Sequence, residues 1–247
     1  MDLDTPNSPL DLPAIARDTG NYIGGHWENQ ESETFTARNP ATGGGLASLP
    51  QSSRETAGRA VAAAKEAQTS WARTPLWERA NLCVAIGKAI ERNKDDLARI
   101  LSLEQGKTLA EATAEVVATA HGFEMSAEMV RYMPGEVMSG ETKDRQFICR
   151  RHPRGVYAVI TPWNYPVMIP GEYLAPAIAT GNTVVWVPAP TTSLVAVALT
   201  RVIAEAGLPA GVVNLVLGQG AVVGDEIVAH KDVQGIGFTG STRTGES

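Results

Sequence analysis

From Gly155 onward the hydrophobic pattern changes period, and that change limits the possible folds more than any other feature of the chain. Val156 to Thr161, Thr183 to Val187, Val212 to Leu217 and Gln234 to Thr239 are four apolar runs of strand length, with helical patterns between them. A strand that is apolar along its length, rather than at every second position, has to be covered on both faces. Strands of that kind alternating with helices are the pattern of a parallel sheet built from crossover connections. One intervening helix is legible in detail: Leu194, Val195, Ala198 and Val202 recur at helical spacing, and Gly207-Leu208-Pro209 supplies a glycine stop followed by proline. The expected fold class is therefore α/β, a parallel sheet flanked by helices.

The first half reads as mostly helical. Tyr22-Ile23-Gly24-Gly25-His26-Trp27 predicts a small hairpin and Thr34 to Asn39 another short strand, an opening meander. Ser52-Ser53-Arg54-Glu55 is a candidate capping box, followed by a stripe at Ala57, Val61, Ala64, Gln68 and Trp71. Thr74-Pro75 restarts a helix with the stripe Leu76, Ala80, Cys83, Ile86 and Ile90, and a third stripe runs through Leu109, Ala112, Val116, Ala120, Phe123, Ala127 and Val130. Pro134-Gly135 breaks the run. Glu136 to Arg151 then reads as two short strands around Ser139-Gly140, a hairpin too small to be stable alone, which suits an arm reaching to another subunit.

At 247 residues with 43% hydrophobic composition the chain can bury a sizeable core. Its net charge of -6 and pI of about 5.3 argue against nucleic acid or an anionic membrane as the main partner, which leaves small molecules as the expected ligands. No signal peptide or bilayer-length apolar run is seen, and Cys83 and Cys149 form no CxxC pattern, so a reducing, cytoplasmic setting is expected. Residues 1 to 20, with three prolines and several acidic groups, are expected to be a flexible tail.

Three segments carry candidate chemistry. Val159-Ile160-Thr161-Pro162-Trp163-Asn164-Tyr165-Pro166-Val167 runs from a strand into a proline-bracketed loop, at the place where an open α/β sheet binds its ligand. The Asn164 amide can donate a hydrogen bond to a developing oxyanion. Gly218-Gln219-Gly220-Ala221-Val222-Val223-Gly224 follows a strand with the spacing GxGxxxG, which is neither the dinucleotide fingerprint nor a Walker loop. It is either a nucleotide loop or a tight strand-to-helix turn. Gly237-Phe238-Thr239-Gly240-Ser241-Thr242-Arg243-Thr244-Gly245 is either a phosphate-binding helix start or an ordinary Ser/Thr cap. The four histidines have no ligand spacing, so no metal site is supported.

Taken together, Ile160 to Pro166, Gly181-Asn182-Thr183-Val184-Val185 and Gly237 to Thr242 resemble the aldehyde dehydrogenase superfamily in order and spacing. The resemblance extends back through Glu104-Gln105-Gly106-Lys107 and Asn39-Pro40-Ala41-Thr42-Gly43 to Tyr22. It implies a Rossmann-like sheet binding NAD or NADP, with Ile160, Thr161, Pro162, Trp163, Asn164, Gly220, Gly224, Phe238, Gly240, Ser241 and Thr244 lining the cofactor groove. It makes Asn164 the oxyanion donor of an aldehyde oxidation, with an aldehyde as substrate, and residues 135–153 the arm of a homo-oligomer. Residues 21–134 and 154–247 would form the cofactor-binding domain, incomplete at its C-terminal end.

The chain also departs from the family. There the nucleophilic cysteine and the glutamate that activates water lie well downstream of the Gly-Ser-Thr motif, so the resemblance places both beyond Ser247 and leaves the catalytic domain absent. Cys83 on a helix stripe reads as core, and Cys149, though flanked by Arg150 and Arg151, is on the wrong element to be the nucleophile. The family commonly has lysine at the position of Val187, and often glutamate at that of Pro190, to hold the adenosine ribose. Val187 either weakens cofactor binding or merely extends a buried strand. Lys107 resembles the semialdehyde-oxidising branch, or is a solvated lysine after a helix-ending glycine. The first hypothesis is the amino-terminal cofactor-binding portion of an NAD(P)-dependent aldehyde dehydrogenase, inactive by itself. The alternative is a non-catalytic nucleotide-binding or subunit-pairing module, or the product of a truncated gene.

Overall fold

The computed structural model describes residues 12–16 and 19–246. After a 3-10 turn at Ala14–Ala16 come the antiparallel strands β1 (Asn21–Ile23) and β2 (His26–Glu28), joined at Gly24 and Gly25, whose φ values of 58° and 89° lie in the left-handed region that favours glycine. β3 (Thr34–Arg38) and β4 (Gly45–Pro50) form a separate ladder. The helices α1 (Arg54–Trp71), α2 (Leu76–Arg92), α3 (Lys94–Gln105) and α4 (Leu109–Arg131) follow. A hairpin of β5 (Glu136–Ser139) and β6 (Gln146–Cys149) leads to β7 (Val156–Ile160), α5 (Met168–Thr180), β8 (Thr183–Val187) and α6 (Ser193–Glu205). β9 (Val213–Leu215), α7 (Asp225–Ala229), β10 (Val233–Phe238) and α8 (Thr242–Gly245) complete it.

Strands β10, β7, β8 and β9 lie side by side in that order and run parallel, as the four apolar runs predict. The sheet continues beyond β9: β1 pairs antiparallel with it through Tyr22 and Leu215, and β2 forms the edge, so the six-stranded sheet is mixed. Two buried amides attach the hairpin. Asn21 donates to Ser52 Oγ and accepts from the Leu217 N–H, both at 2.8 Å, while the Gly24 N–H donates to Asn214 Oδ1 at 2.9 Å. Strands of three residues offer little ladder, and these side chains satisfy backbone groups the ladder leaves open.

Every residue of β8 is buried, which explains its unbroken apolar run. Val184 and Trp186 face a cluster built from Phe123, Leu174, Ile178 and Leu199, while Val185 and Val187 face Ala57, Val61 and Ala64 of α1 and Ile227 of α7. Alternate residues of one strand thus enter two cores.

Several boundaries differ from the sequence reading. α3 lies outside the helices read from sequence although Leu97, Ala98, Ile100 and Leu101 recur at helical spacing, and its inward row ends on the charged Glu104. α5 is apolar around most of its circumference, with Glu172 its one charged residue, and contains Pro176, so neither amphipathicity nor propensity marks it. Ser53 caps α1 through the Thr56 N–H at 3.3 Å, without the reciprocal glutamate of a capping box. The box is at α4, between Thr108 and Glu111. Of the expected tail, residues 1–11 and 17–18 lie outside the described residues. Ile15 and Ala16 are buried, and Arg201 donates to the Ile15 carbonyl at 3.3 Å, so this part is anchored on α6 rather than free.

Candidate active site

The C-terminal ends of the parallel strands are tied together past the regular ladder. The Thr161 N–H donates to the Val187 carbonyl at 3.2 Å, and the Thr239 N–H donates to the Ile160 carbonyl at 3.1 Å. Thr161 is buried and its hydroxyl accepts from the Trp186 indole N–H at 2.9 Å. Beyond it the chain turns outward: Trp163 is 60% exposed, Asn164 and Tyr165 are exposed, and Pro166 and Val167 return to the interior at the start of α5. The Asn164 carboxamide makes no hydrogen bond among the described residues, so its N–H donors are free for a ligand.

The loop is held from below by a pair that sequence reasoning did not bring together. Lys107 forms an ion pair with Glu115, donates to the Asn164 carbonyl at 3.1 Å, and sits 4.4 Å from the centroid of the Tyr165 ring. Glu115 also accepts from the Val167 and Met168 N–H groups at 2.9 and 3.1 Å. The Lys107 side chain is only 10% exposed, which corrects the solvated-lysine reading. A signal was present: Glu115 lies beside Ala112, Val116 and Thr119 on the inward side of α4, and a charge placed there requires a partner.

The glycines at 218–224 divide by role. Gly218 has φ 153°, and a Cβ there would stand 3.2 Å from the Ser52 nitrogen, so the fold itself requires glycine, as a tight turn does. Gly220 is exposed, and a Cβ on it would meet nothing within 4 Å. Gly220–Gly224 forms a π-helical turn into the short α7, and Gly224 lies close enough to Ile160 that a Cβ would be 3.6 Å from its Cδ1. This turn therefore reaches over the end of β7. Arg54 donates to the Ala221 carbonyl at 3.2 Å beside Glu226 and Asp225.

After Phe238 the chain turns at Gly240, where a Cβ would stand 2.5 Å from the Phe238 ring. Ser241 caps α8, accepting from the Thr244 N–H at 3.2 Å. Gly240, Ser241 and Thr244 are exposed. Tyr173 fastens this segment to α5, its hydroxyl lying 3.1 Å from the Phe238 carbonyl and 2.8 Å from Thr239 Oγ1. Ile160, Thr161, Gly224 and Phe238 are thus gathered at one edge of the sheet, with Trp163 and Asn164 projecting beside them.

Neither cysteine joins this edge. Cys83 is fully buried and its thiol is pushed up to about 12 by burial, against the pull of Arg79. Cys149 is exposed on β6. Val187 is 2% exposed and packs among Val185, Val216 and Val223, which supports the buried-strand reading of that position. A cavity of about 530 Å³ borders Asn164, lined by Gln105, Lys107, Glu111, Glu115 and Tyr165. A larger one of about 660 Å³, with Arg79, Arg151, His152 and Arg154, lies at the opposite ends of β7 and β8. Size therefore does not mark the chemistry here. No three His, Cys, Asp or Glu side chains converge as metal ligands among the described residues, and no helix there is long and apolar enough to cross a membrane.

Residues 27–247 match the aldehyde dehydrogenase family model. Betaine aldehyde dehydrogenase of Bacillus subtilis is 38% identical over 228 residues, covering 91% of this chain and 46% of that protein. The crystal structure of an aldehyde dehydrogenase from Brucella melitensis superposes with a TM-score of 0.93 at 34% identity, covering 97% of this chain and 50% of that one. Betaine aldehyde dehydrogenase from Staphylococcus aureus in complex with NAD+ superposes with a TM-score of 0.89 at 32% identity, over 92% and 46% of the two chains. The chain spans about half the length of the curated relatives it matches. Matched over most of its length by the family model, and carrying its loop, glycines and capped turn at the ends of the same parallel strands, the chain belongs to the aldehyde dehydrogenase family.

Proposed function

We propose that this chain is the cofactor-binding and oxyanion-donating portion of an enzyme that oxidises a small aldehyde to a carboxylic acid with NAD or NADP. The observation that carries the reading is the Asn164 loop: its carbonyl is held by Lys107 while its carboxamide donors are free at the strand ends. As an aldehyde carbonyl becomes tetrahedral, its oxygen gains negative charge, and Asn164 would donate to it. Losing one such donor costs about a hundredfold to a thousandfold in rate.

The residues present suit a dinucleotide. Nothing in the fold requires glycine at 220, and the absence of a side chain there leaves the rim of the strand ends open for close approach. Ile160, Thr161, Pro162, Trp163, Gly224, Phe238, Gly240, Ser241 and Thr244 would line the same groove. The dinucleotide, when bound, accepts the hydride of the aldehyde carbon. The NAD+ complex of the Staphylococcus aureus relative supports the assignment. Burial excludes Cys83 as the nucleophile and position excludes Cys149, so the attacking thiolate would come from residues other than these. The Lys107 charge is neutralised by Glu115, so it gives no support to a semialdehyde carboxylate as the feature recognised.

Residues 135–153 would form an arm between subunits in a homo-oligomer, and 21–134 with 154–247 the domain it serves. Val137, Met138, Phe147 and Ile148 are all exposed on the β5–β6 hairpin, apolar surface that a second copy would cover. The same surface favours, as a second reading, a module that pairs with an intact subunit.

Calorimetry of the purified chain with NAD and with NADP tests the first reading. Saturable binding of at least one is expected, with no nicotinamide reduction on adding aldehyde. Heat with neither dinucleotide sinks the cofactor assignment, and turnover sinks the claim that this portion is inactive alone.

A further inference from the structure

We propose that Lys107 and Glu115 are positioning residues for Asn164, a buried charge clamp that fixes the backbone from which its carboxamide projects. The inference rests on the reading of Asn164 as an oxyanion donor. Three consecutive exposed side chains, Trp163, Asn164 and Tyr165, form the crest of a surface loop, where backbone is ordinarily mobile. An oxyanion donor works only if its N–H is already aimed at the place where charge will develop. Something other than burial must hold the crest.

The structure supplies it from two elements distant in sequence. The loop is anchored at either side by the Thr161 N–H on the Val187 carbonyl and by the Ile169 N–H on the Tyr165 carbonyl at 3.0 Å. At the crest, the hydrogen bond to the Asn164 peptide comes from Lys107. Lys107 is itself fixed, because Gly106 ends α3 in the left-handed conformation, the Ser102 hydroxyl donates to the Lys107 carbonyl at 2.8 Å, and the Lys107 N–H donates to Gln105 Oε1 at 3.0 Å. An ammonium has three donor directions, and here they meet the Glu115 carboxylate, the Asn164 carbonyl and the Tyr165 ring face.

Glu115 divides its two oxygens. Oε1 receives the Val167 and Met168 N–H groups at the start of α5, and Oε2 receives Lys107. With its side chain 1% exposed, this carboxylate is a satisfied buried charge that joins the helix following the loop to the cation holding the loop's crest. Because the lysine bond ends on the Asn164 peptide itself, it sets the direction in which the asparagine side chain leaves the backbone. A clamp serving only stability could end on any carbonyl of the loop.

The test reads the side-chain amide of Asn164 in the 247-residue chain by nitrogen-15 NMR, its signal identified by its loss in Asn164→Asp. In Lys107→Met the Asn164 amide is expected to shift or broaden while the buried Asn21 and Asn214 amides stay in place. Lys107→Arg keeps the charge with a different donor geometry and should restore the signal in part. If Lys107→Met does not fold, Glu115→Gln serves: its amide oxygen can still accept from the Val167 and Met168 N–H groups, but the charge facing Lys107 is gone, so the Asn164 signal moves while α5 keeps its helical carbon shifts. An Asn164 amide unchanged in the folded variants overturns the proposal. Dinucleotide calorimetry on the same samples separates the two claims, since a displaced amide in a chain that binds neither NAD nor NADP would leave the clamp standing and remove the function assigned to it.

Discussion

Glu104 shows how one residue can be read correctly in sequence and still not be understood. It belongs to the motif Glu104-Gln105-Gly106-Lys107 that marks the family, yet its carboxylate points inward and accepts the Leu194 and Val195 N–H groups, both at 2.8 Å, at the start of α6. Burial pushes its carboxyl up to about 8, against the downward pull of those two donors. Unfolding returns it to the ordinary carboxylate range near 4.5, so between those limits the folded chain holds a proton the unfolded chain has released. Stability from this group is therefore lost as pH rises through that window, by at most ~1.4 kcal/mol per pH unit, and the loss levels off above about 8. Urea unfolding across that range should show the slope in the native chain and a flatter one in Glu104→Gln. Thr161 gives a second expectation: Thr161→Val leaves the buried Trp186 indole without an acceptor and should lower stability by about 1–3 kcal/mol, while Thr161→Ser retains most of it, as denaturant midpoints will show. The roles proposed for Asn164 and the Gly-Ser-Thr segment could be argued from sequence because their residue types imply chemistry. Lys107 was singled out but its partners were not, because Glu115 and Asn164 lie eight and 57 residues away from it.

Among the elements, what the sequence showed and hid follows the hydrophobic period. The stripes of α1, α2 and α4 were readable because each helix packs one face, whereas α5 buries most of its residues and contains Pro176, and the short stripe of α3 ends on the charged Glu104. Close helix packing adds a constraint that periodicity does not contain. Gly87 in α2 lies against α4, and a Cβ there would stand 2.8 Å from the Ala120 carbonyl oxygen and 3.0 Å from Glu124 Cγ. Gly87→Ala should gain about 1 kcal/mol in helix propensity but lose about 1–3 kcal/mol to overpacking against a backbone atom that cannot swing away. The net expectation is destabilisation, and a raised unfolding midpoint would show that α2 and α4 separate more easily than their packing implies. The hairpin β5–β6 differs again: its position was clear from Pro134-Gly135 and Ser139-Gly140, but that every residue of both strands is exposed, four large apolar ones among them, emerged only in the fold.

At the scale of the whole molecule, those side chains carry the clearest consequence. Phe147→Asp together with Ile148→Glu should shift the assembly seen by analytical ultracentrifugation toward the single chain. Stability should change by no more than about 0.5 kcal/mol, as for surface substitutions generally. Unchanged assembly would remove the arm from the interface. The sequence by itself determined the α/β class, the four parallel strands and the family, because β-branched runs covered on both faces and a multi-part motif are properties of local order along the chain. It did not determine that the opening hairpin extends the sheet as β1 and β2, nor that Val187 is wholly interior, nor which cation holds the Asn164 loop. Those outcomes depend on contacts between segments 50 to 200 residues apart, such as Asn21 with Leu217 and Lys107 with Asn164. Only folding sets such distances, and a hydrogen bond or ion pair exists only once the distance has been set.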